Sequence, residues 1–219
     1  MTLVAFDFDG TLSDSEMTIL LGEQCDRIEL REEAVADRMG EITRRAMNDE
    51  IGYAESLRRR CALLADLPLA DAEAAFAEVT LRPGATDIVA RLREAGVFVT
   101  ILTGGFERGV EAALEREGVA VDAIVANRLP AADGRLTGDV EGPLVEGTKD
   151  GALDDLVATS GESLTDTVAV GDGANDLPML EATGLAVGFD PKPAVEPSCD
   201  VVVETMGELD ALFEREGLY

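Results

Sequence analysis

The sequence predicts a three-layer α/β fold: a parallel sheet with helices on both faces and a small helical cap inserted after the first strand. Three observations carry this reading. Residues 3–7 form a short apolar run that opens the chain as a buried strand. Residues 17–80 then hold several helical stretches and no convincing strand. After Pro83-Gly84, strands and helices alternate to the end of the chain, the pattern of βα units with parallel strands.

Each element follows from its local pattern. A helix at 85–95 ends at Gly96, and the β-branched run 97–103 is a strand. A helix at 107–117 ends at Gly118, followed by a strand at 122–126. Residues 127–141 read as a hairpin turning at Asp133-Gly134. A helix at 148–160, strand 167–171, helix 175–182, strands 184–188 and 200–203 and a helix at 207–217 complete the chain. The Rossmann-like α/β core is therefore expected at 1–14 and 82–219, with the cap at 15–81 hinged at its two short connections. In such a sheet the site lies at the carboxyl ends of the strands.

Composition narrows the classes. The chain has 219 residues, 46% of them hydrophobic, too many for a disordered chain. No apolar run approaches a membrane span and no basic-apolar leader precedes the first strand, so the expectation is a cytoplasmic protein. Three scattered cysteines, Cys25, Cys61 and Cys199, suggest neither a disulfide framework nor a zinc site. The formal net charge is −27, and of 18 basic residues only Lys149 and Lys192 are lysines. An acidic, lysine-poor surface fits a protein of a salt-accumulating halophile, the alternative being a merely acidic mesophilic one. The same surface argues against nucleic acid or anionic membrane as partner, because polyphosphate binding needs the opposite sign.

Four segments carry chemistry. Asp7 and Asp9 end the first strand two residues apart, so both carboxylates leave it pointing roughly the same way. Two converging anions repel unless a cation or proton lies between them. Gly10 permits a tight turn and Thr11 adds a hydroxyl and an N–H. This is the equipment of an aspartate nucleophile with Mg²⁺ and a second acid beside it; the bland alternative is a surface turn. Thr103-Gly104-Gly105, between strand and helix, offers a hydroxyl and glycine amides as a phosphate cradle, or merely a helix cap. Gly171-Asp172-Gly173-Ala174-Asn175-Asp176 sits at another strand-to-helix junction, where carboxylates could join Asp7 on Mg²⁺. It mimics half a dinucleotide fingerprint, but Asp176 takes the third small-residue position and the strand is not the first. Lys149 opens a helix, against the macrodipole, which weakens a purely structural role. With no histidine in the chain, histidine-based phosphoryl transfer is excluded and a carboxylate must take that role.

In this order the four segments resemble the haloacid dehalogenase superfamily of phosphoryl-transfer enzymes over essentially the whole chain. Within it, 126–129, 133–140, 168–176 and the cap residues 46–48 and 53–60 are similar to the phosphoserine phosphatase family. Thr103, Tyr53 and Gly10 stand where serine, phenylalanine and serine are usual, and no functional group is lost. The resemblance implies an Mg²⁺-dependent hydrolysis of O-phospho-L-serine to L-serine and phosphate, the last step of serine biosynthesis. The alternatives are a phosphatase for another small phosphomonoester and a phosphotransferase. Asp7 would be the nucleophile and Asp9 the acid and base. Asp7, the Asp9 carbonyl and Asp172 would hold the metal, with Asp176 and Thr11 supporting. Thr103, Gly104, Lys149 and Asn175 would bind or position the phosphate, and Gly105 would lie among the substrate contacts. The partner is a small phosphomonoester, and the chain is expected as a monomer or homodimer.

Substrate choice is expected in the cap. On a helix from Tyr53, the residues Tyr53, Leu57, Cys61 and Leu64 form one apolar stripe. At about 100° per residue Arg60 falls within it, while Arg58 and Arg59 point away. A guanidinium there suits a substrate carboxylate, or else an internal glutamate. The resemblance places Glu16 near the substrate amino group, although a first-turn acid stabilising a helix reads equally well. Met47 and Tyr53 would wall the pocket, with a core role open for Met47.

The charge yields a first prediction. Folding and activity should need molar KCl or NaCl, because carboxylates repel over about 10–30 Å when screening is weak. Thermal unfolding and turnover followed down a salt series check this; a cooperative transition and full activity without salt would refute it.

Overall fold

The computed structural model describes residues 2–48 and 50–219, the Met47 side chain excepted. In chain order the elements are β1 (Leu3–Phe6), α1 (Met17–Arg27), α2 (Val35–Met47), α3 (Tyr53–Ala62), α4 (Leu69–Phe76), α5 (Ala85–Glu94), β2 (Phe98–Phe106), α6 (Glu107–Glu117) and β3 (Ala123–Asn127). There follow β4 (Ala131–Ala132), β5 (Arg135–Leu136), α7 (Lys149–Ser160), β6 (Thr167–Gly171), α8 (Leu177–Ala182), β7 (Leu185–Phe189), β8 (Val201–Val203) and α9 (Met206–Arg215).

Six strands pair in parallel in the order β3-β2-β1-β6-β7-β8. The chain reverses direction across the sheet at β1, which lies between β2 and β6, so a crevice opens at its carboxyl end. Alternation along β1 separates the two faces. Val4 and Phe6 pack with the α5, α6 and α9 residues Val89, Val110 and Phe213, while Leu3 and Ala5 pack with Leu153, Met179 and Leu180 of α7 and α8. Phe6 meets Phe213 edge-on at 6.2 Å. This is the three-layer fold the sequence predicts.

Two elements depart from the expected bounds. The strand expected to end at 103 continues to Phe106, because a register shift between Leu102 and Phe106 bulges β2 against β3. The Gly104 and Gly105 amides therefore lie in that bulge and not in the first turn of α6. The helix expected at 175–182 opens as one 3₁₀ turn, Ala174–Asp176, before α8. Asp133 (φ 51°) and Gly134 (φ 75°) make the left-handed turn that the hairpin β4–β5 needs.

Between β1 and α5 the chain forms α1–α4. The stretches that lead in and out run side by side. Ser13 bridges Leu81, its Oγ donates to the Thr80 carbonyl at 2.7 Å, and the Arg82 N–H donates to the Leu12 carbonyl at 2.8 Å. The hairpin β4–β5 reaches this block too: the Leu136 and Leu69 amides donate to the Leu67 and Gly134 carbonyls, each at 2.9 Å. The start of α2 depends on a distant residue. Asp26 in α1 accepts from the Val35 N–H at 2.6 Å and the Ala36 N–H at 3.1 Å, supplying the anionic cap that Ala34 cannot. Asp26→Ala should thus lower stability by about 1–2 kcal/mol, with Asp26→Asn intermediate, in urea unfolding at high salt.

Candidate active site

The site is built at the end of β1. The Asp7 N–H donates to the Val170 carbonyl at 2.8 Å, extending the pairing with β6 by one residue and burying the carboxylate at the sheet edge. The chain then turns, with the Thr11 and Ser13 amides donating to the Phe8 carbonyl at 3.2 and 2.9 Å. Gly10 has φ 91°, and a Cβ there would stand 2.8 Å from the Asp172 carboxylate, so the turn both needs glycine and brings two acidic segments together. The Thr11 N–H is consumed by this turn, whereas its buried Oγ1 has no partner among the described residues.

Lys149 enters from the first turn of α7 and is 3% exposed. Its ammonium donates to Oδ1 of both Asp7 and Asp176. Burial disfavours the charge, but the Asp176 and Asp7 carboxylates outweigh it and hold Lys149 above its ordinary range. Asp176 also accepts on Oδ2 from the Asp172 N–H at 2.9 Å and the Gly173 N–H at 2.8 Å, which pins the turn that carries Asp172. Asp7 is raised by burial first and by Asp176 next, with Lys149 acting the other way. Asp9 is raised well above the usual carboxylate range by burial, then by the charges of Glu16 and Asp7.

The donor set fits a hard divalent cation. Carboxylate oxygens of Asp7, Asp172 and Asp176 lie within 4.8 Å of one another, and Asp9 has a buried Oδ1 without a partner. Oxygen-only ligands around a dense negative charge suit Mg²⁺ better than a softer metal. This cluster places Asp176 among the candidate ligands, where the sequence assigned it support.

Facing these carboxylates is the bulge of β2. Thr103 is buried and its Oγ1 accepts from the Gly105 N–H at 2.9 Å. A Cβ on Gly105 would meet Asp9 Oδ2 at 2.6 Å, so Asp9 reaches this segment. The four motif segments thus converge. Asn175 differs from expectation: it is exposed and makes no bond to Lys149, which Asp7 and Asp176 orient instead.

From α3, Leu57, Cys61 and the following Leu64 are buried as the stripe requires, but Tyr53 is 41% exposed and crosses to the site. A Cβ on Gly104 would fall 2.0 Å from the Tyr53 hydroxyl, so only glycine admits this approach. Arg60 donates to Thr18 Oγ1 at 3.2 Å, its Nε is buried without a partner, and it forms no ion pair among the described residues. The internal glutamate alternative is therefore not what the structure shows. Arg58 and Arg59 do point away, Arg59 pairing with Glu55 and Arg58 with Glu146 in the loop before Lys149. Glu16 precedes α1, and burial raises it while Lys192 and Arg60 lower it. The Met47 side chain lies outside the described residues.

Lys192 was missed in the sequence. Its Nζ stands 3.0 Å from Asp172 Oδ2 and its N–H donates to the Asp172 carbonyl at 2.9 Å. Both lysines of the chain therefore sit on carboxylates of one site. Their scarcity was the signal: a lysine retained in so acidic and lysine-poor a chain marks a local need for positive charge.

Removing one member of the buried network should be costly. Asp176→Ala leaves Lys149 with one counter-ion and strands two amides, and should cost about 3–5 kcal/mol in chemical unfolding. A loss below 1 kcal/mol would mean that the network is not closed as described.

Comparison with known proteins agrees with this geometry. A family model described as haloacid dehalogenase-like hydrolase matches residues 4–181. A phosphoserine phosphatase of Halobacterium salinarum is 54% identical over 100% of both chains, and one of Methanocaldococcus jannaschii is 39% identical over 92% of each. Among solved structures, a phospho-aspartyl intermediate analogue of phosphoserine phosphatase superimposes with TM-score 0.82 at 36% identity over 93% of each chain. A substrate-bound phosphoserine phosphatase complex gives 0.85 at 34% over 97% of each. With an aspartate pair, a buried lysine and an acidic cluster at one sheet edge, and with these matches, the chain belongs to the haloacid dehalogenase-like hydrolases and is an enzyme.

Proposed function

We propose that the chain is an Mg²⁺-dependent phosphoserine phosphatase working through a phosphoryl group carried on Asp7. The observation that carries this is the buried pair at the end of β1. Asp7 is paired with Lys149 beside an acidic cluster, while Asp9 has an unpartnered buried oxygen and is held above the usual carboxylate range. The near-identical extent of the phosphoserine phosphatases that match the chain supports the substrate.

In this reading an Asp7 oxygen attacks phosphorus as the ester oxygen departs. Asp9, whose hold on a proton is strengthened by burial and by Glu16 and Asp7, gives its proton to the leaving serine oxygen. It then takes a proton from the water that attacks the acyl phosphate, which restores Asp7 and releases phosphate. Lys149 and the Thr103 hydroxyl bind the phosphoryl oxygens and offset their charge. Asp7, the Asp9 carbonyl, Asp172 and Asp176 would hold Mg²⁺. When bound, the ion would neutralise the repulsion between nucleophile and phosphate.

The block 15–81 is read as a cap on the core 1–14 and 82–219, hinged where the strands around Ser13 and Leu81 lie together. Tyr53 then closes over Gly104, Arg60 receives the substrate carboxylate and Glu16 its amino group. The acidic surface and the halobacterial relative support operation at high salt, in a cytoplasmic step that ends serine biosynthesis.

Two predictions test this. Asp7→Asn should abolish turnover and covalent labelling with a phosphorylated substrate, and Asp9→Asn should slow both chemical steps; phosphoryl transfer to the Asp7→Asn protein would overturn the nucleophile assignment. For the substrate, phosphoserine should be preferred to phosphoethanolamine, which lacks the carboxylate. Arg60→Ala should lower kcat/KM for phosphoserine alone by roughly 2–4 kcal/mol, about 30- to 1000-fold. Arg59→Ala, whose partner is on its own helix, is the control. Arg58 is unsuitable as a control, since its pairing with Glu146 links α3 to the loop before Lys149. Equal losses on both substrates would point to another phosphomonoester, and transfer to an added alcohol to a phosphotransferase.

A further inference from the structure

We propose that Asn127 is a positioning residue for phosphate binding: through the peptide linking Gly104 to Gly105 it aims the Thr103 hydroxyl at the phosphoryl oxygens. This rests on the reading of Thr103 as a phosphate ligand. Asn127 ends β3, is fully buried (0% exposed) and takes no part in the chemistry. Its carboxamide has a backbone partner at each end. The Leu144 N–H donates to Oδ1 at 3.1 Å, and Nδ2 donates to the Gly104 carbonyl at 3.1 Å. An N–H on one side and a C=O on the other fix which end of the amide is which.

The Gly104 carbonyl belongs to the same peptide as the Gly105 N–H. In a trans peptide the two groups point opposite ways within one plane, so anchoring the carbonyl orients the N–H. That N–H donates to Thr103 Oγ1 at 2.9 Å. One acceptor position of the hydroxyl is thereby filled, and among the described residues its proton has no protein acceptor. The proton is left to donate into the site, where a phosphoryl oxygen needs it. The register to β3 shifts between Leu102 and Phe106, and within this bulge the Asn127 carboxamide anchors the Gly104 carbonyl.

The same side chain meets the loop that leads to Lys149. Gly142 has φ 143°, and a Cβ there would lie 2.6 Å from Asn127 Oδ1, so the loop closes directly on the amide. Arg128 and Glu141 exchange backbone bonds at 2.7 and 3.0 Å beside it. One buried amide therefore fixes the spacing between the two segments that bear phosphate ligands, the Thr103 bulge and the approach to Lys149.

The test is a double-mutant cycle on the full chain with Mg²⁺ in molar KCl, reading the affinity for inorganic phosphate by calorimetry and the fold by thermal unfolding. Asn127→Asp keeps size and the acceptor for Leu144 but removes the donor to Gly104. In a folded protein it should weaken phosphate binding about 10- to 100-fold. In the Thr103→Ala background, where no hydroxyl remains to aim, the same change should cost little more. If Asn127→Asp does not unfold cooperatively, Asn127→Ala enters the same cycle. Unchanged phosphate affinity in either folded variant, or the same loss with and without the Thr103 hydroxyl, would overturn the relay while leaving Thr103 as a ligand. Intact phosphate binding in Thr103→Ala alone would overturn the ligand assignment, and the relay with it.

Discussion

Everything at the site depends on keeping one buried ammonium between two buried carboxylates. Lys149 is almost fully buried and bridges Asp7 and Asp176, so three parts of the chain that are distant in sequence meet at one charge. An isolated ion there would carry a desolvation penalty of several kcal/mol, and so would each lone carboxylate. Only together, with Asp176 also accepting two backbone amides, are they tolerable. The arrangement leaves one negative charge in excess even before Asp9 and Asp172 are added. That excess suits a divalent cation, and burial together with the neighbouring acids raises these carboxylates. The lysine holds Asp7 in place yet does not neutralise the cluster.

The electrostatics of the whole molecule sharpen this. A chain with a formal charge of −27 repels the dianion it is proposed to bind, so attraction must come from charges inside the crevice. Lys149, Lys192 and Arg60 supply it from α7, from the loop after β7 and from α3. Elsewhere the basic residues are arginines, many of them paired on the surface as Arg27 is with Glu78 and Arg108 with Glu73. Exposed pairs of this kind contribute little each, and less at high salt. The buried Lys149 pairs are shielded from that screening, so the acidic exterior and this centre can work at one ionic strength.

The fold was largely legible because its signals are local. Alternating apolar runs and glycine punctuation give the strands and helices, and residues 7, 9, 149 and 172 sit at element ends, where a parallel sheet gathers them. What escaped was long-range or depended on broken rules. The extension of β2 to Phe106 reflects pairing with Asn127 across a register shift, which no periodicity in 98–106 announces. Tyr53 was expected at the pocket wall, but its close approach to Gly104, allowed because that residue has no side chain, shows only when the two positions are seen together. Lys192 lies in a loop without pattern, and Asn127 is a polar residue at a strand end whose two partners are 17 and 23 positions away. Asn175 is exposed beside the turn that carries Asp172, so of its two expected partners the structure pairs Lys149 with Asp7 and Asp176 instead.

Arg60 shows how composition constrains a site. The chain offers 45 carboxylates for 18 basic side chains, so an arginine has abundant partners, and Arg58 and Arg59 on either side of one turn both find them. Arg60 is less exposed than either and holds only the Thr18 hydroxyl, with Nε buried and unpartnered. Leaving a guanidinium donor unsatisfied costs about 1–3 kcal/mol, more than most surface pairs return. An anion that arrives to complete the guanidinium would remove this cost, which is the role proposed for the substrate. In the proposed reading that anion is the substrate carboxylate, whose shape matches the planar fork.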